Sequence, residues 1–470
     1  MSCLRRLNME ILLSRKIKNK YPNEHIPRFR LLLSKLLKIA VPSAIETFFV
    51  GLMGMIDTMM VGNYSKEALA AVSISQQPVM ITFACAFGLN NGIVACISRR
   101  RGEGNAEGAN KILRQALLFA LIVSAFFVIF MQFFGSYFLL LAGAKEDTIE
   151  LAFTYSKYVT YCLPINYIRL ALCSAQRSIG KTKLTLVVNV ISNTVNVICN
   201  YILINGHLGA PALGVKGAAI ATDIGNTVAA IIVLITVLRG KDFLHISFRE
   251  SWKFSRDGIG ILLRVATPAF FEQLVNRIGF FIVAKIVNEL GTDAAAVNAI
   301  LSNIVALNFN LIDGFALGAS ALVGQSLGER RPAKAFAYGR LAQALAFIIG
   351  LAMAGIVLLI REPICWCFAE DEVVIKEAAK DLLIVWIIFL PQSVQWTTTT
   401  VLKGAGDTAF TARMSLISIT IIRPICSYIL CYPLGLGVVG SYLGMLIDQL
   451  IRCTTNILRF LNLKWIEKRA

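Results

Sequence analysis

Charged side chains are scarce in this chain of 470 residues, where Asp, Glu, Lys and Arg together make up 16%. A soluble globular protein carries about a quarter. Hydrophobic residues make up 56%, and the mean hydropathy is +0.68. Long apolar runs recur along almost the whole chain, and each supplies the roughly 20 residues that a membrane-spanning helix needs. The composition therefore excludes an ordinary soluble domain and predicts an all-α integral membrane protein.

Histidine is nearly absent, and the patterns of soluble enzyme sites are missing. The three histidines, His25, His207 and His245, lie in predicted loops or in the N-terminal tail. No Gly-rich phosphate loop, zinc spacing or nucleophile elbow occurs. The eleven cysteines are scattered and are expected to pack as small apolar side chains. We therefore expect a protein that is not an enzyme, has no cofactor or bound metal, and does not drive transport with ATP by itself.

Twelve candidate spans follow from the apolar runs. The first six lie near 37–62, 68–98, 112–141, 151–176, 184–205 and 213–238, and the second six near 261–288, 294–326, 335–360, 377–402, 409–432 and 435–459. The predicted domains are a basic N-terminal tail (1–36), an N-terminal six-helix lobe (37–238), an inter-lobe linker (239–260), a C-terminal six-helix lobe (261–459) and a C-terminal tail (460–470).

Basic residues are confined to one set of connections. They cluster in the N-terminal tail and after the even-numbered spans, as at Arg99, Arg177 and Arg330, whereas turns after odd-numbered spans are acidic or neutral. The positive-inside rule then places both termini, the linker and the tails in the cytoplasm of a cell membrane, and we expect a prokaryotic inner membrane. The net charge of +18 is thus explained by lipid, and the basic tail is expected to lie on a lipid surface rather than bind nucleic acid.

The two halves of the chain repeat one another. Many matching residues stand 226 positions apart without a gap over some 60 residues: Pro42 and Pro268, Glu46 and Glu272, Gly88 and Gly314, Gly92 and Gly318, Gly102 and Gly328, Glu103 and Glu329. Such self-similarity indicates an internal duplication. Six spans return the chain to its starting side, so the two lobes are predicted to be parallel repeats related by a pseudo-two-fold axis along the membrane normal, a plan associated with secondary transporters. The glycines inside spans 2 and 8 are expected to allow close helix packing.

One carboxylate and three neutral polar groups are predicted to lie at similar depth in the first lobe. At ~1.5 Å per residue, Asp57 in span 1 and Asn200 in span 5 both lie about 22 Å from the cytoplasmic side. Asn196 shares the helix face of Asn200, and Thr222 in span 6 falls about 12 Å below the outer surface. Oxygen ligands with one negative charge suit a proton or Na⁺. We predict cation coupling at Asp57, with an ion pair to a buried cation as the structural alternative. For the asparagines and Thr222, helix packing competes with function.

Further polar residues in the predicted spans are candidates for a central cavity or for gating. Glu46 and Glu272 occupy equivalent positions one turn after a proline, where a structural bond at the disturbed turn is an equal alternative. Gln76, Asn276, Gln392, Gln395 and Trp396 could line a cavity for a bulky amphipathic cation, although polar contacts between helices explain any single one of them as well. Arg169, Arg277 and Arg423 are expected to need acidic partners, for which Glu46, Glu272 and Asp313 are available.

Several segments together resemble the multidrug and toxic compound extrusion (MATE) family: P-x3-E…VGLMGMIDTMMVG at the start, ISRRRGEGN after span 2, the turns QRSIGKTK and LKGAGDT, and LGVKGAAIAT at span 6. The resemblance covers about residues 35 to 460. It implies twelve helices in two lobes and antiport of substrate against H⁺ or Na⁺.

The resemblance also carries over to single positions. Asp57 falls on the family's span 1 acid, which is associated with cation coupling, and Asn196 and Thr222 match further polar positions of that site. Asn200 departs from the family, because many members carry an aspartate there, and this weakens Na⁺ binding in favour of a proton. Members coupled through the second lobe have acids in spans 7 and 10, where this chain has Asn276 and Gln392.

The function expected from the sequence is a secondary active antiporter. It would export amphipathic or cationic small molecules, as in multidrug efflux, in exchange for H⁺ or Na⁺ by alternating access, with membrane lipids as its surroundings and a monomer as its state. A flippase for lipid-linked precursors is the alternative within the same superfamily, and it would need a basic cavity. An ion channel is the alternative from another class, disfavoured by the two-lobe duplication and the lack of a filter-like loop.

Overall fold

The computed structural model of the chain describes residues 15–142, 148–239, 242–247, 250–366, 368 and 371–468. Within these residues the regular secondary structure is helical and includes no strand, as predicted. Most of the basic N-terminal tail predicted from the sequence, the residues before position 15, lies outside the described residues.

The first half of the chain contains eight helices. They are α1 (Arg15–Lys20), α2 (Phe29–Tyr64), α3 (Lys66–Gly102), α4 (Ala106–Leu141), α5 (Ile149–Tyr161), α6 (Leu163–Ser178), α7 (Thr182–Asn205) and α8 (Gly214–Arg239). Side chains that accept hydrogen bonds from the first turn cap two of them: Ser65 accepts from Ala68 N at 3.0 Å in α3, and Asn105 accepts from Gly108 N at 2.7 Å in α4.

The second half follows the same order. Its helices are α9 (Arg256–Asn288), α10 (Thr292–Gly328), α11 (Pro332–Leu359), α12 (Arg361–Trp366), α13 (Glu372–Gly404), α14 (Thr408–Ile417), α15 (Arg423–Cys431) and α16 (Gly437–Leu461). A π-helical stretch, Ser418–Ile422, joins α14 to α15. The turns at Gly180 and Gly406, 226 residues apart, adopt the same left-handed backbone, with φ of 90° and 92°. This shared geometry supports the internal repeat.

The helices follow the twelve predicted spans. Span 4 is broken at Cys162 between α5 and α6, one residue before Leu163-Pro164 begins the next helix, and span 11 comprises α14, the π-helical stretch and α15. Among the described residues, eight helical stretches are long and apolar enough to cross a membrane by length and composition. Large apolar side chains such as Phe133, which is 79% exposed, point outward from them. Lipid is the solvent in which such outward-facing side chains are stable.

Contacts divide the chain into two units. The N-unit comprises Phe48–Phe270, and the C-unit comprises the chain up to Thr47 together with the chain from Phe271 onward. These boundaries lie inside α2 and α9, so each of these two helices begins in one unit and continues into the other. The predicted lobes begin at 37 and 261 instead, and those boundaries stay a prediction about the membrane-embedded lobes.

Close helix crossings within each unit explain why the boundaries lie inside α2 and α9. In the C-unit, a Cβ atom added to Gly314 of α10 would lie 2.1 Å from the backbone oxygen of Ser43 in α2. In the N-unit, a Cβ atom added to Gly88 of α3 would lie 2.9 Å from the backbone oxygen of Ala266 in α9. The glycines thus let the first part of α2 pack on α10, and the first part of α9 on α3. The predicted role of these glycines in close packing is confirmed.

The segment before α2 is docked on the C-unit. Ile17 is fully buried in a core that also holds Phe336 and Trp465. The Glu24 carboxylate accepts hydrogen bonds from Ala333 N at 2.8 Å and Lys334 N at 2.9 Å. These donors belong to the first turn of α11, where unpaired N–H groups favour an anion. From Ile17 onward, the segment therefore packs on protein.

The segment before α9 is docked on the N-unit in an equivalent way. Asn110 of α4 donates to Phe243 O at 3.2 Å and accepts from His245 N at 2.9 Å. Arg114, one turn further along α4, pairs with Glu250. Because Glu250 stands 226 residues after Glu24, and α4 starts 226 residues before α11, the two docked acids are counterparts under the repeat.

Candidate functional site

Asp57 lies in α2 within the N-unit, half-buried, with two side-chain amides of α7 beside it. Asn200 Nδ2 donates to Asp57 Oδ1 at 2.7 Å. Asn196 lies one helical turn earlier on the same face and also reaches the carboxylate. The structure thus brings together the carboxylate and both amides that the depth argument grouped from sequence.

The orientation of the Asn196 carboxamide follows from its hydrogen bonds. With its nitrogen facing Asp57, it donates to the two carboxylate oxygens at 2.8 and 3.0 Å, and its oxygen accepts from Thr222 N at 3.2 Å. The Thr222 hydroxyl donates to Ala218 O at 3.0 Å within its own helix. In this orientation Asn196 links the acid of α2 to the backbone of α8.

Tight packing of α7 against α8 positions these groups. A Cβ atom added to Gly225 of α8 would lie 2.7 Å from the backbone oxygen of Ser192 and 3.0 Å from Asn196 Cβ. The Ser192 hydroxyl donates to Gly225 O at 2.8 Å, which ties the two helices at the same level. Gly225 therefore allows the close approach that brings Asn196 to Thr222.

Asp57 forms no ion pair with a lysine, arginine or histidine among the described residues. The structural alternative of an ion pair to a buried cation is therefore not what the described part of the chain contains. No group of three or more His, Cys, Asp or Glu side chains suited to a metal ion occurs there either. What surrounds the carboxylate is a pair of neutral hydrogen-bond donors.

Glu272, the counterpart of Glu46 in the repeat, is engaged in a buried ion pair in the C-unit. Lys403 Nζ lies 2.9 Å from Glu272 Oε1, and both side chains are almost completely buried. The Thr411 and Ser415 hydroxyls donate to the same carboxylate at 3.2 and 3.1 Å. The expectation that Glu272 would pair with one of the three intramembrane arginines is corrected, because Lys403 at the end of α13 holds this position.

The other cavity and gating candidates have varied surroundings. Glu46 is buried, whereas Gln76 is exposed on α3. In the C-unit, Gln392 accepts from Asn308 Nδ2 at 2.8 Å, and Gln395 donates to Thr399 at 2.9 Å. Asn276 is buried, and its Oδ1 accepts no hydrogen bond. Their role in a cavity or gate stays a prediction.

Trp396 occupies the most polar surroundings of these candidates. Its Nε1 donates to Asp313 Oδ1 at 2.8 Å, and its ring lies 5.4 Å from Lys403 Nζ and 4.6 Å from the ring of Phe309. The indole therefore stands between an acid and the lysine of the buried ion pair. This arrangement suits a cation–π contact.

The intramembrane arginines are placed as follows. Arg169 donates to Asn189 Oδ1 at 3.0 Å in the N-unit. Arg423 lies over the ring of Phe280, 5.3 Å from its centroid, and interacts electrostatically with Asp448 in the C-unit. Arg277 is half-buried. Asp448 itself forms a buried ion pair of 2.6 Å with Arg452 and accepts from the Ser418 hydroxyl at 2.6 Å.

Three functional candidates were missed from sequence. Asp448 and Arg452 are spaced i,i+4 within span 12, a signal for an ion pair that could have been used. Lys403 was considered only as part of a turn motif, although α13 continues through it. Asp223 directly follows Thr222 in α8, so the depth argument that selected Thr222 applies to it equally.

The helical fold with its broken and repeated spans is that of a multi-pass membrane transporter, and similarity to known proteins identifies the family. The MatE family model matches residues 42–202 and 268–429, and the two matches begin at Pro42 and Pro268, the offset of the internal repeat. The chain belongs to the MatE family of transporters.

Relatives from several bacteria align over nearly the full length. The probable multidrug resistance protein NorM of Thermotoga maritima is 26% identical over 459 residues, covering 96% of each chain. The multidrug resistance protein NorM of Vibrio cholerae is 26% identical, covering 94% of this chain and 97% of its own. Multidrug resistance protein PmpM of Pseudomonas aeruginosa is 26% identical over 390 residues, covering 83% and 82%.

Solved structures share the fold. A MOP superfamily transporter from Pyrococcus furiosus superposes with a TM-score of 0.87 at 22% identity, covering 95% of this chain and 100% of its own. An outward-facing multidrug resistance MATE transporter gives a TM-score of 0.86 at 23% identity, covering 94% and 100%. The predicted all-helical architecture and the predicted family are confirmed.

Proposed function

We propose that this protein is a multidrug exporter that exchanges amphipathic or cationic small molecules for protons bound at Asp57, by alternating access. The observation that carries the proposal is the Asp57 carboxylate bonded to Asn200 and Asn196, without an ion pair in the described part of the chain. The names of the NorM and PmpM relatives support drugs as the cargo.

The amide orientations favour a proton over Na⁺ as the coupling ion. Hard cations are bound by oxygen atoms, whereas Asn200 and Asn196 present N–H groups to Asp57. A sodium ion between these groups would require both amides to turn. A proton needs no such change, because it binds a carboxylate oxygen directly.

Protonation would alter the connection between α2 and α7. An ionised carboxylate accepts from both amides, while a protonated one has a donor of its own and fewer acceptor sites. Because α2 continues from the C-unit into the N-unit at Phe48, a change at Asp57 acts on a helix that belongs to both. Coupling then requires only that the two states differ in affinity for the proton.

Separate ion gradients across proteoliposomes test the proposal. Efflux of tetraphenylphosphonium, a lipophilic cation, is measured with a pH gradient alone, a Na⁺ gradient alone, and neither. We expect saturable, pH-driven exchange and no acceleration by Na⁺. Uncoupled, non-saturating flux would instead indicate a channel, and transport of a pyrophosphate-linked lipid without tetraphenylphosphonium exchange would indicate a flippase.

A further inference from the structure

A second acid lies in the membrane-spanning part of the N-unit. Asp223 occupies α8 directly after Thr222, about 14 Å along the helix from its start at Gly214 by the ~1.5 Å rise per residue. Its Oδ1 atom is buried and accepts no hydrogen bond. An acid at such depth is costly to keep without a function.

The surroundings of Asp223 offer one weak donor. The Cys162 thiol is hydrogen-bonded to its carboxyl group, and a thiol is a poor donor compared with an amide or hydroxyl. Cys162 is the residue at which span 4 breaks between α5 and α6. The Thr227 hydroxyl, one turn along α8, donates to the backbone oxygen of Asp223 at 2.7 Å and so leaves the carboxylate unsupported.

Tyr155 connects this acid to the Asp57 site. It lies on α5, seven residues before Cys162, and interacts electrostatically with both Asp57 and Asp223. Its ring packs in two neighbouring apolar clusters, one with Val61 of α2 and the other with Ala219 of α8. The two carboxyl groups therefore face one tyrosine from two helices.

The charged and titratable groups around Asp223 are few. Tyr155 faces it from α5, Cys162 from the break before α6, and Asp57 of α2 stands beyond Tyr155. On α8 itself, the Lys216 ammonium lies 5.2 Å from the ring of Tyr158. Among the described residues Asp223 forms no ion pair with a lysine, arginine or histidine. Two like charges are thus brought near each other in an apolar setting with no compensating cation in that part of the chain.

We propose that Asp223 is a second proton-binding residue of the transport cycle, so that the N-unit exchanges up to two protons, one at Asp57 and one at Asp223, for each substrate cation. Nearby acids in a site of low dielectric titrate as a coupled pair, so loss of one proton opposes loss of the other. Binding of a cationic substrate supplies the charge that lets both leave. This inference rests on the proposed proton antiport.

The test counts the protons that tetraphenylphosphonium displaces from purified protein in weakly buffered detergent, followed with a pH indicator. Four proteins are compared: the unaltered protein, Asp57→Asn, Asp223→Asn, and the control Asp293→Asn, which changes an exposed acid in the first turn of α10. We expect the control to match the unaltered protein. Asp57→Asn and Asp223→Asn should each displace about half as many protons, as coupled titration of two sites requires.

Two further variants keep the inference falsifiable if Asp223→Asn fails to fold. Asp223→Glu retains a carboxyl group and should restore the full proton count. Cys162→Ala removes the thiol and should shift the pH midpoint of tetraphenylphosphonium binding without changing the count. An Asp223→Asn protein that displaces as many protons as the unaltered one, or an Asp223→Glu protein that displaces about half, overturns the inference. Absence of proton displacement from the unaltered protein would overturn the proposed antiport itself.

Discussion

The Nδ2 atom of Asn200 lies 2.7 Å from Oδ1 of Asp57, so the acid of α2 is held by an amide of α7. This contact is the point at which the chain departs from the many family members that resemblance places with an aspartate at position 200. An amide there can donate to the carboxylate, whereas a second carboxylate would repel it. The contact therefore bears directly on the choice of coupling ion.

Asn200→Asp is expected to make the site responsive to Na⁺. Two ionised carboxylates this close are stable only with a cation or a shared proton between them. We predict that Na⁺ accelerates tetraphenylphosphonium efflux by Asn200→Asp but not by the unaltered protein, with Asn193→Asp on the same helix as control. Equal insensitivity of Asn200→Asp and the unaltered protein to Na⁺ would show that position 200 does not select the ion.

Lys403→Ala is expected to destabilise the C-unit strongly. The change leaves Glu272 buried without its cation, and breaking a buried ion pair by removing one partner costs about 3–5 kcal/mol. Thermal unfolding in detergent should show a large decrease in melting temperature, partly reversed by adding Glu272→Gln, whose amide can still contact Thr411 and Ser415. Lys376→Ala, which breaks an exposed pair with Glu372, should have little effect. Similar melting temperatures for the two lysine variants would contradict this account.

Gly314→Ala is expected to disrupt the crossing of α10 with α2. The added methyl group would meet Ser43 O at 2.1 Å, and overpacking of this kind costs about 1–3 kcal/mol or more. Gly355→Ala in α11 is a matched control, because nothing lies within 4 Å of its added Cβ and alanine favours a helix by about 1 kcal/mol. Gly314→Ala should therefore melt below the unaltered protein and Gly355→Ala should not. The reverse order would refute the close crossing.

Glu250→Ala is expected to release the docked linker from α4. Arg114 loses its acid, and the amide of His245, which donates to Asn110, should exchange hydrogen faster. Glu24→Ala should do the same for the amides of Ala333 and Lys334 at the start of α11. Hydrogen–deuterium exchange measured by mass spectrometry checks both, with Glu289→Ala in an exposed pair as control. Unchanged exchange in both docked segments would show that these acids do not hold them.

Local patterns predicted the helices and the Asp57 site better than they predicted buried pairing. Apolar runs, the repeat and a constant rise per residue were enough to group Asp57 with Asn196, Asn200 and Thr222, because depth in a membrane is a function of position along a helix. Nothing in the sequence places Lys403 against Glu272, since these residues are 131 positions apart and their contact depends on how α9 and α13 pack.

Helix boundaries followed the same division. The predicted starts of spans 1 and 7, at 37 and 261, fall inside α2 and α9, which begin at Phe29 and Arg256. Their polar first turns are stabilised by packing and by the docked segments rather than by hydropathy. The break at Cys162 was not predicted either, although Pro164 suits the first turn of a helix and gave a local signal.

The most direct test of the account is pH-driven tetraphenylphosphonium exchange by Asp57→Asn in proteoliposomes, beside Asp293→Asn at matched protein density. We predict that Asp57→Asn binds tetraphenylphosphonium but loses about tenfold or more of the pH-driven rate, the factor that corresponds to about 1.4 kcal/mol, while Asp293→Asn keeps it. Undiminished pH-driven exchange by Asp57→Asn would contradict the claim that the proton bound at Asp57 drives transport.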